Sequence, residues 1–144
     1  MPKSTQERNK ELLIEGFDTL FNKRDFAAAE KLWSPNYIQH SGHIPPGREG
    51  LFGLVKAFPA GTSWDHGIIM AEGDFVMVHS RYSIPDSSQI IVVDIMRMKD
   101  GIFQEHWDVT EPALTEAESK SKRPMFGDTF PGRSWAESAV RDAW

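Results

Sequence analysis

Residues 89–110 read QIIVVDIMRMKDGIFQEHWDVT. Apolar and β-branched runs on either side of Lys99-Asp100-Gly101 predict an antiparallel hairpin. If that loop has three residues with Gly101 left-handed, Met98 pairs with Ile102 and Asp94 stands opposite His106. Val92, Asp94, Met96, Gln104, His106 and Asp108 then share one face, and Val93, Ile95, Phe103, Glu105 and Trp107 share the other. A two-residue turn would shift the pairing by one and break the polar cluster.

Working outward, TSWDHGIIMAEG and DFVMVHSRYSI have the same strand composition and are separated by Gly73-Asp74. With Pro85 to Ser88 as a four-residue loop, Ile84 pairs with Gln89 and His79 falls opposite Asp94. His79, Asp94 and His106 would then form one row across three strands of a four-stranded meander. Upstream the period changes. Ser4 and Glu7 form a capping-box signature, and Leu13, Phe17, Leu20 and Phe21 recur at helical spacing, predicting a helix over 4–22. Asp25 can cap a short helix in FAAAEKLW that Pro35 ends, before a strand at Tyr37-Ile38-Gln39-His40. Leu51, Leu54, Val55 and Phe58 mark a third helix, ended by Pro59 and Gly61.

Helices first and an antiparallel sheet second predict an α+β fold, a cone in which a curved sheet wraps around N-terminal helices and encloses an apolar pocket. Residues 1–126 are expected to form that domain, with 127–144 an extension packing on the pocket mouth or a partner subunit. The 89–96 strand is apolar on both faces, so a second copy is the simplest cover for the outer one and a homodimer is expected.

Composition narrows the function classes. A formal charge of −5 with mixed signs along the chain offers no basic stripe for nucleic acid. The lack of cysteine excludes thiolate nucleophiles, disulfides and cysteine zinc sites. The polar start MPKSTQERNKELL and the absence of a membrane-length apolar run predict a soluble, cytoplasmic protein that engages no membrane. There is no phosphate loop, nucleophile elbow or dinucleotide fingerprint, so no cofactor is expected. The histidines and carboxylates could hold zinc or ferrous iron, but His106 with Asp108 is the only close pair and no metal is expected.

Asp94 is the most informative residue, because a carboxylate inside IIVVDIM is costly to bury. It either pairs with Arg81 or Arg97 at a sheet edge or serves as a pocket carboxylate with a pKa raised by apolar walls. His106 beside it can be oriented by the carboxylate, and Asp108, two residues further along the same face, is placed to take a proton from a substrate. Alternatively, Glu105 to Asp108 is a strand end facing solvent. His40, His43 and His66 read most simply as structural or surface residues.

AEGDFVMVHSR and VVDIMRMKDGIFQEHWDV, preceded by YIQH and a Pro-Pro-Gly-Arg-Glu-Gly helix start, resemble the SnoaL-like polyketide cyclase branch of the nuclear transport factor 2-like superfamily. The resemblance spans roughly Glu7 to Phe126. It implies a cone-shaped barrel with acid–base chemistry that needs no cofactor, such as intramolecular aldol cyclisation. The family's acid–base aspartate matches Asp108, its pocket polar group on the preceding strand falls at or near Asp94, and that of the first strand at His40. The characterised cyclases carry a neutral or basic group where this chain has Asp94. Asp108, His106, Asp94 and His40 are thus the candidate catalytic residues. His79, Tyr37, Trp33, Phe17, Met96 and Phe58 are the candidate substrate contacts. The expected function is proton abstraction from a small, largely apolar carbonyl compound, leading to cyclisation, isomerisation or dehydration. The alternatives are a non-catalytic dimeric binder and an epoxide or lactone hydrolase.

Overall fold

The structure, a computed structural model, describes residues 1–127. Helix α1 (Thr5–Phe17) starts in the capping box: Ser4 Oγ accepts from Glu7 N–H, and the Glu7 carboxylate accepts from Ser4 N–H. It runs on as a π-helical turn, Asp18–Asn22. Asn22 ties that turn to the sheet through both backbone groups of Trp64. Helix α2 (Phe26–Glu30) is capped by Asp25 and is shorter than FAAAEKLW suggested, because Trp33 already belongs to strand β1 (Trp33–Gln39). Pro35 lies within β1, and this is an edge strand, where a missing N–H costs little. Helix α3 (Gly47–Ala57) follows, then strands β2 (Ser63–Glu72), β3 (Phe75–Ser83), β4 (Ile90–Lys99) and β5 (Ile102–Pro112).

The sheet order is β1-β5-β4-β3-β2. The last four strands form the expected meander. β1, however, runs parallel to β5, so the sheet is mixed rather than purely antiparallel. This α+β cone packs Leu13, Phe17, Leu20 and Val55 against Trp33, Trp64, Val78, Met98 and Phe103. Phe103 lies in an aromatic cluster, 4.5 Å from Trp33 and 6.2 Å from Phe17 between ring centroids. None of the described helices is long and apolar enough to cross a membrane.

Two registers differ from expectation. Asp100 and Gly101, both with positive φ, make a two-residue turn, so Lys99 pairs with Ile102 and Met98 with Phe103. A bulge at Gln104 then adds a residue to β5, and from Arg97 onward the pairing is Arg97 with Glu105, Met96 with His106 and Asp94 with Asp108. The bulge restores the parity that the short turn would have lost. Phe103 therefore faces the core, not the outer face, while His106 and Asp108 stay inside. On the other side β3 is slipped by one: Val78, not His79, is opposite Asp94, and Tyr82 pairs with Ile90. The connecting loop is asymmetric, with Asp86 at positive φ inside a turn closed by Ser87 N–H to Ile84 C=O.

The outward face carries Val93, Ile95, Trp107 and the exposed Val109. Phe126 is buried on this face, its ring 4.7 Å from the Arg81 guanidinium and 5.3 Å from the His79 ring. The chain thus covers part of this face itself. The expected extension, apart from Gly127, lies outside the described residues.

Gly16 is where α1 meets the sheet: a Cβ there would lie 2.5 Å from Phe103 Cε2. Gly16→Ala is expected to lower the unfolding free energy by about 1–3 kcal/mol through overpacking. Urea denaturation checks this, and an unchanged midpoint would contradict the close approach.

Candidate active site

Four strands aim polar groups at one point. β4 contributes Asp94, only 2% exposed, and β5 contributes His106, buried beside it. His106 Nε2 lies 2.8 Å from Asp94 Oδ1, and the Tyr82 hydroxyl of β3 donates to Asp94 Oδ2 at 3.2 Å. The end of β1 supplies Gln39, whose Oε1 lies 2.7 Å from His106 Nδ1.

Matching donors to acceptors places the protons. Gln39 Oε1 also accepts from Ser41 N–H at 3.0 Å, and Gln39 Nε2 donates to the Tyr37 hydroxyl oxygen at 3.2 Å, which fixes the orientation of the amide. His106 Nδ1 faces an oxygen and must carry hydrogen. The proton between Nε2 and Asp94 Oδ1 is then shared: either an imidazolium faces a carboxylate or a neutral imidazole faces a carboxylic acid. Burial pushes the Asp94 carboxyl above its ordinary pKa, against the opposing pull of His106. Burial, and next the nearby Asp94, raise the phenols of Tyr37 and Tyr82, so both remain hydrogen-bond donors.

Asp94, His106, Tyr37 and Tyr82 line one wall of a cavity of about 500 Å³, within the range of small-molecule sites. Phe17, Phe21, Leu51, Leu54 and Phe58 supply apolar lining from the helical side. Asp108 reaches the same space, and among the described residues no hydrogen bond holds its carboxylate. Ligand atoms of Asp94, His106 and Asp108 lie within 4.8 Å of one another, so the trio can hold a metal ion. A cation would have to displace the proton that Asp94 and His106 share.

Of the expected catalytic residues, Asp94, His106 and Asp108 come together. Of the expected contacts, Phe17, Trp33, Tyr37, Phe58 and Met96 line the cavity. His40 does not. It lies past the end of β1 on the outer side, stacked on Trp107 at 4.8 Å and bonded to Glu105 at 2.7 Å. Gln39, one residue earlier, takes the inward position because side chains alternate along a strand. His79 is also outside the cavity, against Phe126, since the one-residue slip of β3 reverses its face. Tyr82 takes the place in the cluster that His79 was expected to fill. Tyr82 follows from the alternation Val76, Val78, Ser80, once those residues are set against the helices. His43, read as bland, lines the cavity too.

The sequence pattern of the SnoaL-like domain matches residues 14–106 of this 144-residue chain. The chain belongs to the SnoaL-like family. Its fold is that of the nuclear transport factor 2-like proteins. A candidate ketosteroid isomerase from Kribbella flavida superposes with a TM-score of 0.66 at 18% identity, over 76% of this chain and 82% of that one. IdmH from Streptomyces antibioticus, a candidate polyketide cyclase, gives a TM-score of 0.59 at 19% identity, over 79% and 96%. An LEH-like epoxide hydrolase from M. tuberculosis gives 0.62 at 15% identity, over 75% and 86%. No curated protein sequence matches this SnoaL-like chain.

The raised pKa of Asp94 makes a pH-dependent contribution to stability. The folded state binds the Asp94 proton more tightly than the unfolded chain does. This contribution is therefore complete below about pH 4 and is lost as pH rises through the folded value. The stability difference between wild type and Asp94→Asn is expected to move in the variant's favour above about pH 4, by at most about 1.4 kcal/mol per pH unit. Urea midpoints measured from about pH 4 to about pH 8 check the sign. A difference that stays flat or runs the other way would contradict the raised pKa of this buried carboxyl.

Proposed function

We propose that this SnoaL-like protein is an acid–base enzyme that needs no cofactor and acts on a small, largely apolar carbonyl compound by proton abstraction. The observation that carries this reading is the contrast between two neighbouring carboxylates. Asp94 is buried and bonded to His106 and Tyr82, while Asp108 opens on the same cavity with no hydrogen-bond partner among the described residues. Asp108 takes the proton from carbon, and the C–H electron pair becomes the enolate. The Tyr37 hydroxyl accepts from Gln39, which leaves its own hydrogen to stabilise the enolate oxygen. His106 acts on the substrate only through its surroundings, because both its ring nitrogens are engaged. Return of the proton to another carbon gives isomerisation; attack of the enolate on a second carbonyl of the same molecule, whose oxygen takes up the proton held by Asp108, gives aldol cyclisation; loss of a neighbouring hydroxyl as water, with that same proton, gives dehydration.

A second reading has a specific observation in its favour. The carboxylates of Asp94 and Asp108 flank His106 with ligand atoms within 4.8 Å, a spacing that also suits activation of a water molecule for epoxide or lactone opening. Solvent oxygen labelled with the heavy isotope would enter the product in that case and not in the first.

Deuterium uptake by β-tetralone in heavy water, followed by proton NMR, tests the primary reading. Wild type is expected to exceed the buffer rate, and Asp108→Asn to lose about 10²–10⁴-fold of that enhancement. Dialysis against a chelator is expected to leave the rate unchanged. An Asp108→Asn variant as fast as wild type would overturn the assignment.

A further inference from the structure

The cavity is one-sided in charge. Among the described residues its lining includes two carboxylates, Asp94 and Asp108, and no lysine or arginine. The nearby arginines are turned away and engaged elsewhere. Arg81 pairs with Asp65 at 3.2 Å beneath Phe126, and Arg97 pairs with Glu105 at 3.0 Å, both on the outward face. Arg48 bonds the backbone carbonyls of Glu30 and Trp33, and Arg24 those of Phe58 and Lys56. The imidazole of His106 offers little to an anion either, because its Nδ1 hydrogen is given to Gln39 and its second proton is shared with Asp94. His43 remains at the mouth, and it is exposed.

From this geometry we infer that the cavity selects neutral ligands and rejects carboxylate, sulfate or phosphate relatives of the same shape. The inference rests on the acid–base reading in taking this cavity as the substrate site. An anion entering it would lose its water, meet no counter-charge, and lie near the Asp108 carboxylate in surroundings of low dielectric. A neutral ketone or ester has no such penalty and can accept from Tyr37. If the natural precursor is an acid, the preceding step is one that removes or masks the charge: decarboxylation, esterification, amidation or lactone closure.

Matched probes separate charge from shape: methyl naphthylacetate, naphthylacetamide and naphthylacetate, titrated calorimetrically into the full chain at neutral pH. The ester and amide are expected to bind at least about 30-fold more tightly than the acid, the size of a near-contact repulsion in a partly shielded site. Asp108→Asn, checked for native circular dichroism, is expected to tighten the acid about tenfold while the ester changes little. Acid and ester binding alike in wild type, no binding of any of the three, or an unchanged ratio in Asp108→Asn would each overturn the inference. The β-tetralone exchange keeps the two readings apart. A protein that discriminates but does not exchange keeps the selectivity and loses the acid–base reading; one that exchanges but does not discriminate does the reverse.

Discussion

Asp94 is a carboxyl group almost wholly withdrawn from water, and the arrangement around it follows from that constraint. A buried carboxylate without partners is strongly unfavourable. The chain answers with Tyr82 from β3 on one oxygen and His106 from β5 on the other. His106 in turn needs an acceptor for its far nitrogen, and the parallel edge strand β1 ends where Gln39 supplies one. The amide of Gln39 is itself oriented by Ser41 N–H and Tyr37. The network therefore crosses four of the five strands and cannot be trimmed at one member without leaving another unsatisfied.

The backbone irregularities serve the same end. A two-residue turn at Asp100-Gly101 alone would place His106 and Asp108 on the outer face, and the bulge at Gln104 returns them inside. The bulge also lets Phe103 remain in the core under Trp33, close against Gly16. Fold stability and site geometry thus share one stretch of β5.

Much of this was legible in the sequence. Strand runs, helix stripes, the capping box and the break at Gly73-Asp74 are local signals, and they gave the α+β cone and its meander. The anomalous Asp94 announced itself by composition alone. Register is a different kind of information, since a turn and a bulge can cancel. The grouping of Asp94, His106 and Asp108 came out right although the turn was shorter than expected, and Phe103 did not follow. His79 failed because the loop before β4 is asymmetric, and His40 failed because the inward residue of β1 is one position earlier. His79 had been placed by the register count across that loop, and His40 by the resemblance. Of the residues that hold the cluster, Tyr82 follows from the alternation along β3, whereas Gln39 becomes visible only when the pairing of β1 with β5 is known.

Relatives with the same cone carry names of an isomerase, a cyclase and a hydrolase, so the architecture alone does not choose a reaction. The proposed division of labour between Asp94 and Asp108 rests on how protons are distributed around His106. Nitrogen-15 NMR of the labelled histidine ring, assigned through the loss of its signals in His106→Gln, tests that directly. The account predicts a hydrogen on Nδ1, given to Gln39 Oε1, with Nε2 alone reporting the proton shared with Asp94. An unprotonated Nδ1 would contradict it, because His106 would then be free of Gln39, and the division of labour between Asp94 and Asp108 would lose its basis.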